Sequence, residues 1–349
     1  MGLPPSGRRG DRADGAVAGG GPVVAGGVPR RGIVPRRGSG TGGAMSGAQG
    51  WEARARRTIR GLFADAGVRG WLHVADLRRP EACVAIDPDE PVPVGSVYKV
   101  PLMVAFWRLV DAGTLDPCER MTLGPSDRIP GPTGISILRD DITVSLRDLV
   151  ALMMSVSDNT AADVLLRRVG TPAVDEVCRD LGMPDTRIHG GVATTFAQLM
   201  AETGAESLGA AMRRLSDNDS TVPLAVYGPV LKSSATPADM ARLLRAIWTG
   251  RAASAEACAF MREAMGRQPW THRLASGFPY DDVTVSGKTG TFGSMRHEAG
   301  VVELADGSAY TAVVFTQAAR ADNRLPRADA VIGAAARTAV EELRGNEGT

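Results

Sequence analysis

Lysine is scarce in this sequence. Only three of the 349 residues are lysines, at positions 99, 232 and 288, although lysine and arginine together number 40. Arginine keeps its proton at any working pH, whereas a lysine that is buried away from water can lose it. The few lysines of such an arginine-rich chain are therefore the first candidates for residues that act chemically.

Other absences exclude several classes of protein. The four cysteines, Cys83, Cys118, Cys178 and Cys258, form no CxxC pair, so we expect free thiols rather than a disulfide framework. Histidines and cysteines lack the spacing of zinc ligands, so no metal or other cofactor is expected. The sequence has no apolar run long enough for a transmembrane helix. Its net charge of +1 argues against a nucleic-acid-binding protein.

Residues 1–50 differ in composition from the rest of the chain. Sixteen of them are glycine and seven are arginine, and large apolar side chains are nearly absent. Such a segment cannot bury enough surface to offset its ordering entropy, so we predict a disordered tail. The stretch 16–28 contains too much glycine and proline for the apolar part of a signal peptide. We therefore expect a cytoplasmic protein, with Met45 as an alternative start.

The apolar patterns predict a mixed α/β protein. Short strands are predicted near 70–86 and 283–315, whereas the residues between them are mostly helical in pattern. We expect the strands to meet in one sheet and the middle of the chain to form a second lobe. The predicted domain covers residues 51–345, with a helical lobe at about 96–232 and an α/β lobe at about 51–95 and 233–345.

The first lysine stands in the motif Ser96-Val97-Tyr98-Lys99, which opens a strongly apolar predicted helix. Residues three apart are neighbours on a helix, so the Ser96 hydroxyl and the Lys99 amine share a face. The free N–H groups at a helix N-terminus can stabilise an oxyanion. Burial of Lys99 would lower the pKa of its amine. A hydroxyl beside a neutral amine is a nucleophile with its base.

Two further motifs carry groups that can contact an acyl substrate. Ser157-Asp158-Asn159 follows an apolar predicted helix and offers a hydroxyl and an amide. Lys288-Thr289-Gly290 follows a strand predicted over 283–286, and a lysine and a hydroxyl on a strand edge can hold a carboxylate. Glycine at position 290 would let a ligand lie against the strand backbone.

The order SxxK, SDN and KTG resembles the penicillin-recognising serine hydrolases, and most closely the class A β-lactamases. The resemblance extends to the segments 95–101, 146–161, 235–240 and 285–291. It implies an α/β fold, in which a sandwich of an antiparallel sheet covered by helices stands beside an all-helical lobe. It also implies a monomeric serine hydrolase that acts on a small-molecule β-lactam or amide, without a cofactor, a nucleic acid or a membrane.

The resemblance assigns the acylation chemistry to three residues. Ser96 would attack the carbonyl carbon and become acylated, and Lys99 would take or relay its proton. Ser157, assisted by Lys288, would pass a proton to the leaving nitrogen. Removing one donor of the oxyanion hole in such enzymes typically slows the reaction by about 10²–10³.

The same resemblance implies how the substrate is held. Asn159 would bind the amide of the acyl side chain, and Lys288 and Thr289 would bind the substrate carboxylate beside Gly290. The backbone N–H of Thr291 would form the oxyanion hole together with that of the nucleophile.

One residue of the class A pattern is missing. Those enzymes carry a glutamate on a loop after the second motif, which activates the water that clears the acyl-enzyme. The corresponding stretch at 187–193 contains no acid. Asp185, His189, Glu202 and Glu206 are the neighbouring candidates for that role.

Three functions remain open from the sequence. The first is β-lactam hydrolysis, and with it antibiotic resistance. The second is an amidase, esterase or acyl-transferase on a peptide-like metabolite, which the lack of an export signal favours. The third is a non-catalytic penicillin-binding domain that deacylates slowly, which the missing glutamate favours. Slow deacylation would separate the third from the first, and failure to react with any β-lactam would point to the second.

Overall fold

The computed structural model describes residues 47–217, 227–228 and 233–346. The predicted disordered tail lies outside these residues except for its last four positions, which begin the first helix, α1 (Gly47–Asp65). Lys232 also lies outside them. None of the helices in the described part of the chain has the length and apolar character needed to cross a bilayer.

A five-stranded antiparallel sheet forms the centre of the molecule. Its strand order is β2-β1-β9-β8-β7, so that strands from both ends of the described chain lie side by side. The prediction that these strands meet in one sheet is confirmed. The strands are β1 (Val68–Asp76), β2 (Cys83–Ile86), β3 (Val92–Pro93), β4 (Arg120–Leu123), β5 (Ile142–Ser145), β6 (Ser234–Ala235), β7 (Thr284–Phe292), β8 (Met295–Glu303) and β9 (Ala309–Ala318).

Helices account for most of the sequence between β2 and β7. The remaining pairs of short strands, β3 with β6 and β4 with β5, form two small ribbons in the same region. The helices after α1 are α2 (Lys99–Asp111), α3 (Leu146–Ser155), α4 (Asn159–Val169), α5 (Thr171–Asp180), α6 (Val192–Thr203), α7 (Leu208–Leu215), α8 (Pro237–Trp248), α9 (Ala255–Gly266) and α10 (Pro326–Gly345).

The sheet is covered by helices on both faces, as the fold-class prediction states. On one face, α1 and α10 bury residues such as Ile59 and Ile332 against Leu72 and Val314 of the sheet. On the other face, α8 packs on β1 and β9, and the core continues into the helical region around α2. Burial of each large aliphatic side chain contributes about 1.5–3 kcal/mol, so both layers hold the sheet in place.

Helix α2 lies at the centre of the helical region. Its residues from Lys99 to Trp107 are all buried, which explains the long apolar run in the sequence. The helix predicted to open at Ser96 begins three residues later, at Lys99, because Gly95–Tyr98 form a 3₁₀ turn that leads into α2. The nucleophile motif therefore spans the junction of a tight turn and a fully buried helix.

Capping and turn geometry determine where several of these elements begin and end. The Thr236 hydroxyl accepts the Asp239 N–H at 3.0 Å and begins α8. Gly307 has a φ of +79° in the β8–β9 hairpin, which a glycine adopts without strain. Gly204, with a φ of +60°, ends α6 and explains the interrupted helical pattern over 196–215.

Candidate active site

Ser96 lies where the 3₁₀ turn before α2 meets the outer edge of β7. Gly95 has a φ of +49°, and a Cβ at this position would lie 3.3 Å from the Thr291 nitrogen. A Cβ at Gly290 would overlap the carbonyl oxygen of Val94. Both glycines therefore permit a close approach of two backbones, which brings the nucleophile candidate beside the edge of the sheet.

The role of Gly290 thus differs from the one expected from the sequence. The space that its missing side chain leaves is filled by the Val94 carbonyl group rather than kept for a ligand. The KTG motif also lies within β7 and not after a shorter strand. Three glycines at 287, 290 and 293 made this strand look shorter in the sequence than it is.

Lys99 is fully buried at the start of α2, and its amine faces the second motif. Its Nζ donates to the Ser157 carbonyl oxygen at 2.7 Å and lies 3.2 Å from the Ser157 hydroxyl and 3.2 Å from Asn159 Oδ1. Burial lowers the pKa of Lys99 to about 7, against the opposing effect of Asp158 and Asp163. A large fraction of this amine is therefore neutral near neutral pH and able to accept a proton.

Ser157 occupies an unusual backbone conformation in the turn between α3 and α4. Its φ is +56°, in the left-handed region that non-glycine residues rarely adopt. The buried carboxylate of Asp158 holds this turn by accepting the N–H groups of Ile135 and Ala161. The strain is of order 1–3 kcal/mol and is typical of residues held in place for a function.

Asn159 begins α4, and both polar atoms of its side-chain amide are hydrogen-bonded. Its Nδ2 donates to the Pro130 carbonyl oxygen at 2.8 Å, while its Oδ1 accepts from Lys99. The second motif and the first are therefore joined directly through the lysine amine. The Ser157 hydroxyl and the Asn159 amide both line the cavities around Ser96.

The third motif contributes a buried lysine and two threonines. Lys288 is fully buried and donates to the Thr289 carbonyl oxygen at 3.0 Å. Burial lowers the pKa of Lys288 well below its usual value, and the charge of Lys99 lowers it further. Thr289 and Thr291 line the cleft beside Ser96.

Arg273 is a site residue that the sequence reasoning missed. Its guanidinium donates to the carbonyl oxygens of Gly290 and His297 and to the Thr291 hydroxyl, at 2.8–2.9 Å. Asp329 accepts from its Nε at 2.7 Å. No local signal distinguishes Arg273 from the other arginines of the chain, because only the packing of α10 and β7 places it at the cleft.

Two cavities meet at Ser96, and together they form one cleft. They share Ser96, Asn159 and Thr291. The walls of one side are largely apolar and include Val192, Phe196 and Phe292 together with Pro93 and Tyr98. The other side carries hydroxyls and the guanidinium of Arg273, and it includes Ser157, Thr289, Trp270 and His272. The cleft can therefore hold a molecule with an apolar group at one end and an anion at the other.

The apolar side of the cleft is built by α6, which a buried carboxylate anchors. The two oxygens of Asp163 accept the N–H groups of Val192 and Ala193, at 2.7 and 2.8 Å. A negative charge at this position stabilises a helix N-terminus. Asp163 thereby fixes the helix that carries Val192 and Phe196 into the cleft.

Among the described residues, no aspartate or glutamate lines either cavity. The four candidates for the missing glutamate, Asp185, His189, Glu202 and Glu206, are all exposed and none belongs to the lining of the cleft. Carboxylates do lie beneath the site, but Asp158 and Asp163 already accept backbone N–H groups. Lys99 is thus the group whose titration near neutral pH suits proton transfer.

Comparison with known proteins agrees with this geometry. A model of the beta-lactamase enzyme family matches residues 54–343. The chain is 32% identical over 310 residues to the beta-lactamase regulatory protein BlaB of Streptomyces cacaoi. The aligned region covers 82% of this chain and 97% of that protein. It is 23% identical over 228 residues to a beta-lactamase of Rhodobacter capsulatus, over 65% of this chain and 68% of the relative.

Solved structures show the same fold. A beta-lactamase of Sphaerobacter thermophilus superposes with a TM-score of 0.68 at 25% identity, over 84% of this chain and 97% of that one. A mutant of PBP-A, solved as an acyl-enzyme complex with penicillin G, superposes with a TM-score of 0.65 at 22% identity, over 82% of this chain and 94% of that one.

Proposed function

The chain belongs to the beta-lactamase enzyme family, and on that premise we propose that it is a serine hydrolase that β-lactams or related amides acylate at Ser96. The observation that carries the proposal is the buried Lys99 amine, which has a pKa of about 7 and lies 3.2 Å from the Ser157 hydroxyl. A neutral amine in this place can accept the proton of the nucleophile. Once protonated, it can return a proton towards the leaving nitrogen.

Three side chains carry out the proposed acylation. Neutral Lys99 accepts the Ser96 proton as the hydroxyl oxygen attacks the carbonyl carbon, and a tetrahedral oxyanion forms. The C–N bond breaks as the leaving nitrogen takes a proton from the Ser157 hydroxyl. Lys99, now protonated and 3.2 Å from that hydroxyl, returns a proton to it. The net result is an ester on Ser96 and a released N–H.

The oxyanion is assigned to backbone donors. The Ser96 N–H lies in the 3₁₀ turn before α2, and the Thr291 nitrogen lies against the same turn. Donors held by the fold do not need to reorganise during the reaction, and each contributes about 2.7–4 kcal/mol in comparable sites. The same close approach that requires glycine at 95 and 290 therefore supports the oxyanion hole.

The substrate carboxylate is assigned to the cationic side of the cleft. Thr289, Thr291 and the guanidinium of Arg273 line that side, and Lys288 lies buried next to Thr289 without lining the cavity. Charge-assisted hydrogen bonds of this kind contribute about 1.5–3 kcal/mol each. The acyl side chain then lies on the opposite side, against α6, where Asn159 can bind its amide.

Hydrolysis of the acyl-enzyme is proposed to be slow. No carboxylate among the described residues lines the cleft, so none can activate a water molecule against the ester. This observation favours a second candidate function, a penicillin-binding domain that remains acylated. The name of the relative from Streptomyces cacaoi, a regulatory protein, supports the same candidate.

The test is a time course of intact mass after addition of a chromogenic cephalosporin, with absorbance followed in parallel. We expect an adduct on Ser96 that outlasts colour development, at about one equivalent of product. Continued colour without a lasting adduct would favour a true β-lactamase. Ser96→Ala should abolish both signals. Ser155→Ala is the matched control, because the Ser155 hydroxyl donates to the Ala151 carbonyl oxygen within α3 and does not line the cleft.

A further inference from the structure

A buried glutamate lies behind the cationic side of the cleft and has no part in the chemistry described above. Glu298 is in the middle of β8, directly opposite Thr289 of β7, and only 1% of it is exposed. A carboxylate in such a place needs partners, because burying an unpaired charge is costly. Its partners identify what it does.

The carboxylate oxygens of Glu298 hold two separate segments. Oε2 accepts the N–H of Leu274 at 2.8 Å, and Leu274 directly follows Arg273. Oε1 accepts from Gln268 Nε2 at 2.7 Å. The other end of that amide, Gln268 Oε1, accepts the Thr289 N–H at 2.8 Å. One side chain thus fixes the turn that carries Arg273 and the strand edge that carries Thr289.

The direction of these hydrogen bonds favours the ionised form of Glu298, against the effect of burial, which raises the pKa of its carboxyl group. Because the Thr289 N–H can only donate, Gln268 must present its oxygen to Thr289 and its NH₂ group to Glu298. The Leu274 N–H also can only donate. Both carboxylate oxygens therefore act as acceptors, which is the behaviour of the ionised form.

Two cations act on this carboxylate. Burial raises the pKa of Glu298, and the charges of Arg273 and Lys288 oppose that shift. The Lys288 side chain itself leaves β7 on the opposite face of the sheet, since Lys288 pairs with Ala299 whereas Glu298 pairs with Thr289. Glycine at position 287 leaves room for the glutamate, since a Cβ there would lie 2.7 Å from Glu298 Oε1. The neighbouring strand thus leaves space for the carboxylate that Leu274 and Gln268 bind.

We propose that Glu298 is the positioning residue of the carboxylate-binding side of the cleft, where it holds Thr289 through Gln268 and holds Arg273 through Leu274. The substrate class follows from this arrangement: the ligand must carry an anion, such as a carboxylate next to the scissile amide. The expected effect of Glu298 on activity rests on the proposed acylation of Ser96. The hydrogen-bond network around Glu298 does not depend on that acylation.

The structural part is tested without any substrate. Amide hydrogen exchange is measured on the wild-type protein and on Glu298→Gln. A glutamine at position 298 has one acceptor oxygen and cannot accept from both Leu274 and Gln268, so the amide of Leu274 or that of Thr289 should exchange at least about tenfold faster. Glu303→Gln, at the end of the same strand, should leave both amides unchanged. Unchanged exchange at both amides in Glu298→Gln would overturn the positioning role.

The activity part uses a matched pair of substrates, a cephalosporin with a free carboxylate and its methyl ester. The wild-type protein should be acylated faster by the acid, and Glu298→Gln should reduce that preference about tenfold. A merely structural role would slow both substrates equally and leave their ratio unchanged, which would overturn the proposal. If neither substrate acylates the wild-type protein, the proposed function fails, while amide hydrogen exchange still decides the role of Glu298.

A second variant guards against misfolding of Glu298→Gln. Gln268 is half-buried outside the sheet, so Gln268→Leu should fold while it breaks the link to Thr289. We expect its Thr289 amide to exchange with solvent at least about tenfold faster, the acid-to-ester ratio to fall, and the Leu274 amide to exchange at its original rate. An unchanged exchange rate and an unchanged ratio would show that Glu298 does not act through Gln268.

Discussion

At the scale of single residues, the protein concentrates its unusual chemistry in two buried amines. Lys99 and Lys288 are both fully buried, and burial lowers the pKa of each. The two have different tasks in the proposed mechanism, because Lys99 must lose a proton whereas Lys288 must keep one to bind an anion. The carboxylates around them therefore matter as much as the amines.

The pH dependence of acylation tests this assignment. Lys99, with a pKa of about 7, is protonated and inactive as a base below that pH and neutral above it. The acylation rate should therefore rise between pH 6 and pH 8, measured by quenched-flow mass spectrometry with a cephalosporin. Lys99→Arg should slow acylation by about 10²–10⁴, because a guanidinium cannot lose its proton. A rate that is constant across this range would argue against Lys99 as the base.

The residues that could be found from the sequence are those with a rare identity or a local motif. Lys99 and Lys288 stand out because lysine is scarce, and Ser96 stands three positions before one of them. Arg273 and Glu298 could not be found in this way, since arginine and glutamate are common here and both act through long-range packing. Their roles depend on β7, β8 and α10 lying together.

At the scale of elements, glycine decides how closely the segments of the site approach. The 3₁₀ turn at Leu274–Gly277, next to Arg273, packs on α10 through Gly277 and Gly333. A Cβ at Gly333 would overlap the Arg273 carbonyl oxygen and the Gly277 nitrogen. In the sequence, such glycines are indistinguishable from those of turns, which is also why β7 was predicted too short.

Gly333→Ala should therefore harm both stability and substrate binding. We expect the free energy of unfolding to fall by about 1–3 kcal/mol, since an added methyl group in a packed contact forces the backbone to shift. The apparent affinity for an anionic β-lactam should fall as well, because the shift displaces Arg273. Urea denaturation and acylation rates at several concentrations measure the two effects.

Gly345→Ala provides the control in the same helix. No atom lies within 4 Å of the position where its Cβ would stand, and alanine is a better helix former than glycine by about 1 kcal/mol. This variant should be as stable as the wild type or more so. Equal destabilisation by both substitutions would show that the contact of α10 with the 3₁₀ turn is not the cause.

At the scale of the whole molecule, the family match and the described fold cover nearly the same residues. The match spans 54–343, and the described helices and strands run from Gly47 to Gly345. Both the sheet and the order of helices could be predicted, because strand alternation and helical periodicity are strong over these residues. The exact partners of buried polar groups could not, because they join segments far apart in the sequence.

Removal of residues 1–44 tests where the functional unit begins. We expect a chain that starts at Met45 to keep its unfolding midpoint in urea and its acylation rate, since every residue of the cleft lies after position 92. The comparison requires the full chain and the shortened chain at the same concentration. A clear loss of stability or of acylation would show that the first 44 residues belong to the folded unit.

The strand order has a consequence for how this protein is made. The outer strand β7 reaches the rest of the sheet only through β8 and β9, and β9 in turn pairs with β1. Thr291 is synthesised 195 residues after Ser96, which at about 5–20 residues per second leaves the serine without its proposed oxyanion hole for roughly 10–40 s. In the proposed mechanism a growing chain on the ribosome therefore carries an inert serine, and a β-lactam acylates only molecules whose synthesis is essentially complete.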